Sequence, residues 1–306
     1  MNPQNLEFSI VIPTYNRPER LAQCLQSLTQ LDYPRDRFEV IIVDDGSHIA
    51  LDAIAVRFET HLSISLIRQN NAGPASARNT GAAAAQGHYL VFTDDDCQPD
   101  FGWLKELAAA VAEVPDALIG GHTVNALPDN LCSTASQLLI DYIYDYYNYA
   151  KGEATFFASN NFAMPRLLYQ QLGGFDTTFP LAAGEDREFC DRWRYKGFSM
   201  HYAAAMQVHH AHNLSLASFW RQHFNYGRGA FYFHKIRSQR QSQPIKVEPL
   251  TFYSKLLIYP FSQLEGWRSW NLSGLFCLSQ VANVAGFFWE RYQQRSSLSK
   301  LTTTSS

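Results

Sequence analysis

Residues 8–94 alternate short apolar runs with helical patterns, and each run breaks off at a polar cluster. The run 8–12 stops at Pro13, and Pro18 opens a helical pattern with Leu21, Leu25 and Leu28 on one face. The run 38–43 ends in Asp44-Asp45-Gly46-Ser47. A helix over 51–58 precedes the run 64–67, Gly73-Pro74 makes a turn, and a small-residue helix over 75–85 is closed by Gly87. The run 89–92 then leads to Asp94-Asp95-Asp96. Near-continuous apolar runs separated by helices mean parallel strands covered on both faces. Such sheets bind ligands beyond the carboxyl ends of their strands. Pro13-Thr14-Tyr15-Asn16, Asp44-Asp45, Asn70-Asn71 and the acidic triplet all fall at those ends.

Like charges about 5 Å apart repel by roughly 3 kcal/mol per pair at an effective dielectric near 20, and by under about 1 kcal/mol in water. A solvated acidic turn would therefore tolerate the triplet, whereas a crowded strand end calls for a cation. Hard oxygen ligands suit Mg²⁺ or Mn²⁺.

Beyond Trp103 the pattern is mixed. Helices are expected to about 114, over 138–149, 185–196 and 215–240, with strands over 118–124, 155–164 and 200–208 and a polar linker over 238–244. A net charge of -3 gives no general pull toward nucleic acid, and no acid-poor basic face extends beyond 219–233. Five scattered cysteines without a CxxC pair point to reduced thiols and a cytoplasmic protein. The N-terminus carries no apolar signal-peptide core. Residues 269–289 hold no charged side chain and are bracketed by Trp270 and Trp289. That length could just cross a bilayer, but Asn271, Gln280 and Asn283 interrupt it, so a packed or interfacial helix is expected first.

Six motifs in order carry a resemblance: residues 10–17 (IVIPTYNR), 43–47 (VDDGS), 73–79 (GPASARN), 92–96 (FTDDD), 173–176 (GGFD) and 184–186 (GED). Together they resemble family 2 glycosyltransferases over about residues 8–212, with residues 226–229 (YGRG) matching some members. The resemblance implies an α/β chain of the GT-A fold, an α/β/α sandwich with a mainly parallel mixed sheet, followed by a C-terminal helical extension. The expected division is a GT-A domain over 1–214, with a nucleotide-sugar half to about 125 and an acceptor half over 126–214, then the extension over 215–306. The implied activity is an inverting transfer of a sugar from a nucleotide-diphosphate donor, with UDP favoured, to a hydroxyl acceptor. Mn²⁺ or Mg²⁺ would sit on the diphosphate. Polysaccharide, glycolipid or cell-envelope glycan synthesis is the expected setting.

The same resemblance distributes the roles. Asp94 and Asp96 match the metal-binding DxD motif, and Asp95 between them leaves the register open. Asp45 meets the base with Asp44 in support, and Pro13, Thr14, Tyr15 and Arg17 border base and ribose. Asp186 is the general base, with Glu185 beside the acceptor. A histidine after the strand 200–208 joins the metal, His210 ahead of His212, with His209 a third candidate. From the residues themselves, Arg78 lies early in its helix, where a cation opposes the helix dipole, and so suggests a nearby anion, either donor phosphate or Asp94. Asn79 is expected to bond the acidic rim. Arg228, in an aromatic and basic helix suited to diphosphate, lipid-linked acceptor or membrane surface, could close over the phosphates. Tyr142, Tyr144, Tyr146, Tyr147 and Tyr149 offer either packing or a sugar-stacking surface.

Each motif also has a plainer explanation: Asp-Gly is a common turn after a strand, and acids at 185 and 186 complement a helix dipole. The rival readings are a nucleotidyltransferase and a non-catalytic nucleotide-sugar or sugar-binding protein. The first would carry a glycine-rich, arginine-containing loop after the first strand, where this chain has Pro13-Thr14-Tyr15-Asn16-Arg17. An oxidoreductase would need GxGxxG after a strand, and none occurs.

Overall fold

The structure, a computed structural model, describes residues 6–149, 154–179, 181, 183–241 and 248–303. Eight strands form one mixed sheet: β1 (Phe8–Thr14), β2 (Phe38–Asp44), β3 (Ile64–Arg68), β4 (Tyr89–Thr93), β5 (Cys97–Pro99), β6 (Leu118–Asn125), β7 (Asn161–Pro165) and β8 (Met200–His210). Their order is β3-β2-β1-β4-β7-β6-β8-β5. The pairs β1·β2, β2·β3, β1·β4 and β6·β8 are parallel. Antiparallel β7 joins β4 to β6, so the carboxyl ends of β1, β2, β4, β6 and β8 share one rim with the start of β7.

Alternation along β1 covers both faces. Ile10 and Ile12 pack with Leu21, Leu25 and Leu28 of α1 (Pro18–Leu28) and with Leu104 and Leu107 of α4 (Trp103–Glu113). Val11 points the other way, against α3 (Pro74–Ala84). A Cβ on Gly81 of that helix would lie 2.4 Å from the Val11 side chain, so only glycine lets α3 approach this closely. Further along that layer, Phe92, Phe162, Phe175 and Phe189 form a ring cluster.

Three expectations need correction. β1 does not stop before Pro13 but runs through it to Thr14. The Thr14 carbonyl faces β2, where it accepts from the Asp45 N–H, so Pro13 faces the β4 side. Pairing with β4 has already ended at Val11, so no ladder bond is lost. The strand expected over 155–164 forms only over Asn161–Pro165. Its first part is held by a side chain instead: Asn148 Oδ1 accepts from the N–H groups of Thr155 and Phe156. The linker expected from 238 does not start there, because α8 (Leu216–Gln241) continues to Gln241; residues 242–244 lie outside the described residues. Short β5 and helix α6 (Arg166–Leu172) had no sequence expectation.

Two compact units divide the chain. One comprises Met1–Ala126, Tyr144–Thr177 and Phe189–His212; the other comprises Leu127–Ile143, Thr178–Glu188 and Asn213–Ser306. In the second, α8 packs along α11 (Trp267–Thr303). A Cβ on Gly227 of α8 would lie 1.9 Å from the Asn283 carbonyl oxygen, and one on Gly286 of α11 would lie 1.9 Å from that of Phe224. The two backbones touch at these glycines. Gly229 gives the same clearance to the Ala183 carbonyl, 2.1 Å from its would-be Cβ. This contact sets a prediction. Alanine propagates an isolated helix better than glycine by about 1 kcal/mol. Gly227→Ala should nevertheless destabilise the protein by about 1–3 kcal/mol, as overpacking does, read as a lower urea midpoint. A raised midpoint would mean that the helices do not touch there.

Candidate active site

The rim is assembled from strand ends. Thr14 closes β1, Asp44 closes β2, Asp94 follows β4, and His210 closes β8. Two turns on it are stitched together. The Asn16 N–H donates to Ser47 Oγ at 2.8 Å, and the His48 N–H donates to Asn16 Oδ1 at 2.8 Å. Asn16 takes a positive φ of 55° to do so, a conformation asparagine tolerates better than most residues.

The acidic triplet splits three ways. Arg78 donates to Asp94 Oδ1 at 2.7 Å. Asp95 turns inward, accepting from Thr14 Oγ1 at 2.7 Å and from Arg17 Nη1 at 3.2 Å. Burial, against the pull of Arg17, pushes its carboxyl up to about 6. Asp96 Oδ2 accepts from Arg20 at 2.9 Å and Arg17 at 3.5 Å, while Oδ1 faces His210 Nε2 at 3.2 Å. Burial acts to raise Asp96, but the hydrogen bond and charge of His210 outweigh it and hold the carboxyl well below its usual range. Burial likewise works against the His210 imidazolium, and Asp96 outweighs it, raising His210.

His210 reaches Asp96 because β5 pairs antiparallel with β8. Cys97 lies opposite His210, and the Ala211 N–H donates to the Asp96 carbonyl at 2.9 Å. The other two candidates differ in where they lie. His209 Nε2 contacts Asp100 Oδ1 at 2.7 Å. The His212 ring lies 5.0 Å from that of His210, and burial together with the His210 charge pushes it down to about 4.

The donor atoms of Asp96, Cys97 and His210 lie within 4.8 Å of one another. Burial raises the Cys97 thiol well above its ordinary value, and a soft sulfur ligand suits Mn²⁺ or Mg²⁺ poorly beside oxygen and nitrogen. The remaining carboxylate oxygen and imidazole nitrogen, 3.2 Å apart, suit neighbouring positions around a six-coordinate dication with bonds of about 2.1 Å. The donor set fits Mn²⁺ or Mg²⁺, and the nitrogen favours Mn²⁺. Asp94, expected beside Asp96 on the ion, has one oxygen on Arg78.

Other expected residues are engaged in ways the sequence did not reveal. Asp45 Oδ1 accepts from Gln69 Nε2 and the Ala72 N–H, and Oδ2 from the Gly73 N–H. Asp44 Oδ1 accepts from the Ser47 N–H. Both carboxylates thus shape the turns that follow β2 and β3. Pro13 is buried within β1, while Tyr15 is exposed, its ring edge toward His48. Asn79 does not bond the acidic rim. Its amide clamps both backbone groups of Phe175 at 2.8 and 2.9 Å, which explains the glycine just before that residue: a Cβ on Gly174 would lie 2.6 Å from Asn79 Oδ1.

In the second unit, Glu185 and Asp186 open α7 (Glu185–Tyr195) after Gly184 at φ 90°. Glu185 is buried; Asp186 is partly exposed, and its Oδ1 accepts from the Arg187 N–H at 2.7 Å. Arg228, expected over the phosphates, is paired with Glu290 of α11 at 2.7 Å. Tyr142 packs against Phe252 and Tyr259 there, and in the first unit Tyr144 packs against Phe157 and Tyr202. The Tyr149 side chain lies outside the described residues. Arg20 was missed, although it carries the signal that singled out Arg78: a cation in the first turn of a helix that follows a strand end.

The eight-stranded mixed sheet with flanking helices is close to the GT-A fold of solved glycosyltransferases. The chain belongs to glycosyl transferase family 2, whose model matches residues 9–173. Among relatives, it is 36% identical over 124 residues to Glycosyltransferase AglE of Haloferax volcanii, covering 40% of each chain. It is 33% identical over 110 residues to Poly(ribitol-phosphate) beta-N-acetylglucosaminyltransferase TarS of Staphylococcus aureus, covering 35% of this chain and 19% of TarS. The match thus spans less than half the length of either curated relative. Among solved structures, the Mannosyltransferase PcManGT from Pyrobaculum calidifontis in complex with GDP-Man and Mn2+ superposes with a TM-score of 0.65 at 19% identity, covering 94% of this chain and 89% of that one.

Proposed function

We propose that the protein transfers a sugar, with inversion, from a nucleoside-diphosphate donor to a hydroxyl acceptor, aided by a divalent cation held by Asp96 and His210. The observation that carries this reading is the meeting of Asp96 Oδ1 and His210 Nε2 at the carboxyl-end rim. The PcManGT structure with GDP-Man and Mn2+ and the TarS structures with UDP and UDP-GlcNAc support a sugar nucleotide as donor. Uridine remains the favoured base. When bound, the cation supplies charge stabilisation for the departing diphosphate without proton transfer. Asp94 and Arg78 border that charge, and Thr14, Tyr15 and Arg17 border the nucleoside. Asp186 takes the acceptor proton as the oxygen attacks the anomeric carbon, because a carboxylate is too weak a base to deprotonate an alcohol beforehand. Glu185 lies beside it on the acceptor side. The direct test is a thermal-shift screen of UDP- and GDP-sugars with and without Mn²⁺, followed by released-nucleotide assays. A melting temperature that no sugar nucleotide moves would remove the reading.

The second unit suits a lipid-linked or membrane-bound acceptor. The helix over Trp267–Arg295 is long and apolar enough to cross a membrane by length and composition alone. One face of it lies on α8, with Leu272 and Phe276 buried. Trp270, Val281, Val284 and Phe288 lie on the other face, each more than half exposed, with Arg291 and Arg295 exposed beyond them. An aromatic-apolar face flanked by cations fits the interface of an anionic membrane, here the cytoplasmic leaflet. The full chain should float with vesicles containing phosphatidylglycerol. Trp270→Ala combined with Phe288→Ala should at least about halve the bound fraction. Equal flotation of both proteins would exclude this face.

A further inference from the structure

The acidic rim brings its own counter-ions. Asp94 is paired with Arg78, Asp95 with Arg17, and Asp96 with Arg20. With His210 counted as the neutral imidazole that a cation's ligand must be, three carboxylates against three guanidinium groups leave the set formally neutral. The arginines differ in freedom. The Arg78 side chain is 4% exposed, and its guanidinium lies over the Phe175 ring at 5.6 Å, so it is fixed on Asp94. Those of Arg17 and Arg20, at the start of α1, are 51% and 34% exposed. Both reach Asp96 Oδ2, the oxygen turned away from His210.

We propose that Arg20, with Arg17, sets the charge of this rim so that the divalent cation and the donor diphosphate bind as a pair and neither binds well alone. This rests on the reading of Asp96 and His210 as the cation's ligands. A dication alone would take the neutral set to a formal charge of +2, with two guanidinium groups on the very carboxylate that holds it. One unit charge about 6 Å from a dication changes its affinity by about tenfold even at the dielectric of water. A diphosphate alone would take the set toward -2. Together they restore neutrality, and the two half-exposed guanidinium groups have the room to turn from Asp96 toward the phosphates. Arg78 lacks that room. Arg20 acts through Asp96 and is a positioning residue; its signature is cation affinity rather than turnover.

The test uses the full chain. Free Mn²⁺ is read by electron paramagnetic resonance without nucleotide, and UDP and GDP binding by calorimetry with and without Mn²⁺. In the wild type, Mn²⁺ should tighten the preferred nucleoside diphosphate by at least about thirtyfold, and by linkage the nucleotide tightens Mn²⁺ by the same factor. Arg20→Met should bind Mn²⁺ alone at least about tenfold more tightly, with a coupling reduced to match. Arg20→Lys keeps the charge and should stay within about threefold of the wild type. A wild-type Mn²⁺ affinity indifferent to nucleotide overturns the proposal, whether or not the variants fold. So does an Arg20→Met protein of normal melting temperature with unchanged or weaker Mn²⁺ binding. Asp96→Asn separates this proposal from its foundation. If the Mn²⁺-dependent gain in nucleotide affinity survives that change, the metal assignment itself fails. If the gain vanishes there while Arg20→Met alters nothing, only the role of Arg20 falls.

Discussion

Asp186→Asn is expected to lower kcat by about three orders of magnitude while donor affinity stays within about twofold. General-base catalysis typically contributes about 10²–10⁴-fold, and an amide cannot accept the acceptor's proton. The change is close to isosteric. Asp186 is only partly buried at the start of α7, and its recorded acceptor role toward the Arg187 N–H can pass to the amide oxygen. Folding should therefore survive, and an unchanged melting temperature is the control. The loss should fall on kcat rather than on the donor KM, because this carboxylate is assigned to the acceptor hydroxyl. A variant retaining more than about a tenth of the wild-type kcat would strip Asp186 of its role.

The second large effect concerns Asp96. Asp96→Asn should weaken Mn²⁺-dependent donor binding by at least about a hundredfold, with little change in whatever affinity remains without metal. Asp96 is 8% exposed and is fixed by contacts on both of its oxygens. Arg20 and Arg17 take Oδ2, and His210 faces Oδ1. Asparagine keeps the size but removes the negative charge that a dication requires, and its NH₂ group could occupy the position toward His210. Calorimetry of the nucleoside diphosphate with and without Mn²⁺ reads the effect. Unchanged affinity in both conditions would withdraw Asp96 from the metal.

The parallel half of the sheet was legible because its strands are covered on both faces and read as unbroken apolar runs. The polar clusters that end those runs do gather at one rim, since parallel strands put their carboxyl ends on the same side. The partners of the acids were not legible. His210 was placed ahead of its neighbours by the resemblance alone; the physical reason it reaches Asp96, the antiparallel pairing of Cys97–Pro99 with β8, was not legible, because three residues are too few to show a period. The donors to Asp45 were not legible, because Gln69, Ala72 and Gly73 lie beyond the next strand in the chain. Arg228 meets Glu290 through a helix crossing set by two glycines, a contact without a sequence period. Arg20 was the avoidable miss. A cation in a first helical turn is out of place with respect to the helix dipole wherever it occurs, and the reasoning that drew attention to Arg78 applies equally to it.

The rim was expected to need a dication to relieve its acids, and the structure revises that physical argument. Arg17, Arg20 and Arg78 already neutralise the three aspartates. Relief of repulsion therefore gives no reason for a metal. What remains is the pairing of a buried carboxylate oxygen with an imidazole nitrogen on the ligand-binding side of the sheet. The most direct measurement is an anomalous difference map from crystals soaked with Mn²⁺ and UDP. The account predicts a single strong peak bonded to both Asp96 Oδ1 and His210 Nε2, with the diphosphate oxygens completing its coordination. Nucleotide bound at the rim with no manganese at that pair, or manganese on other ligands, would contradict it.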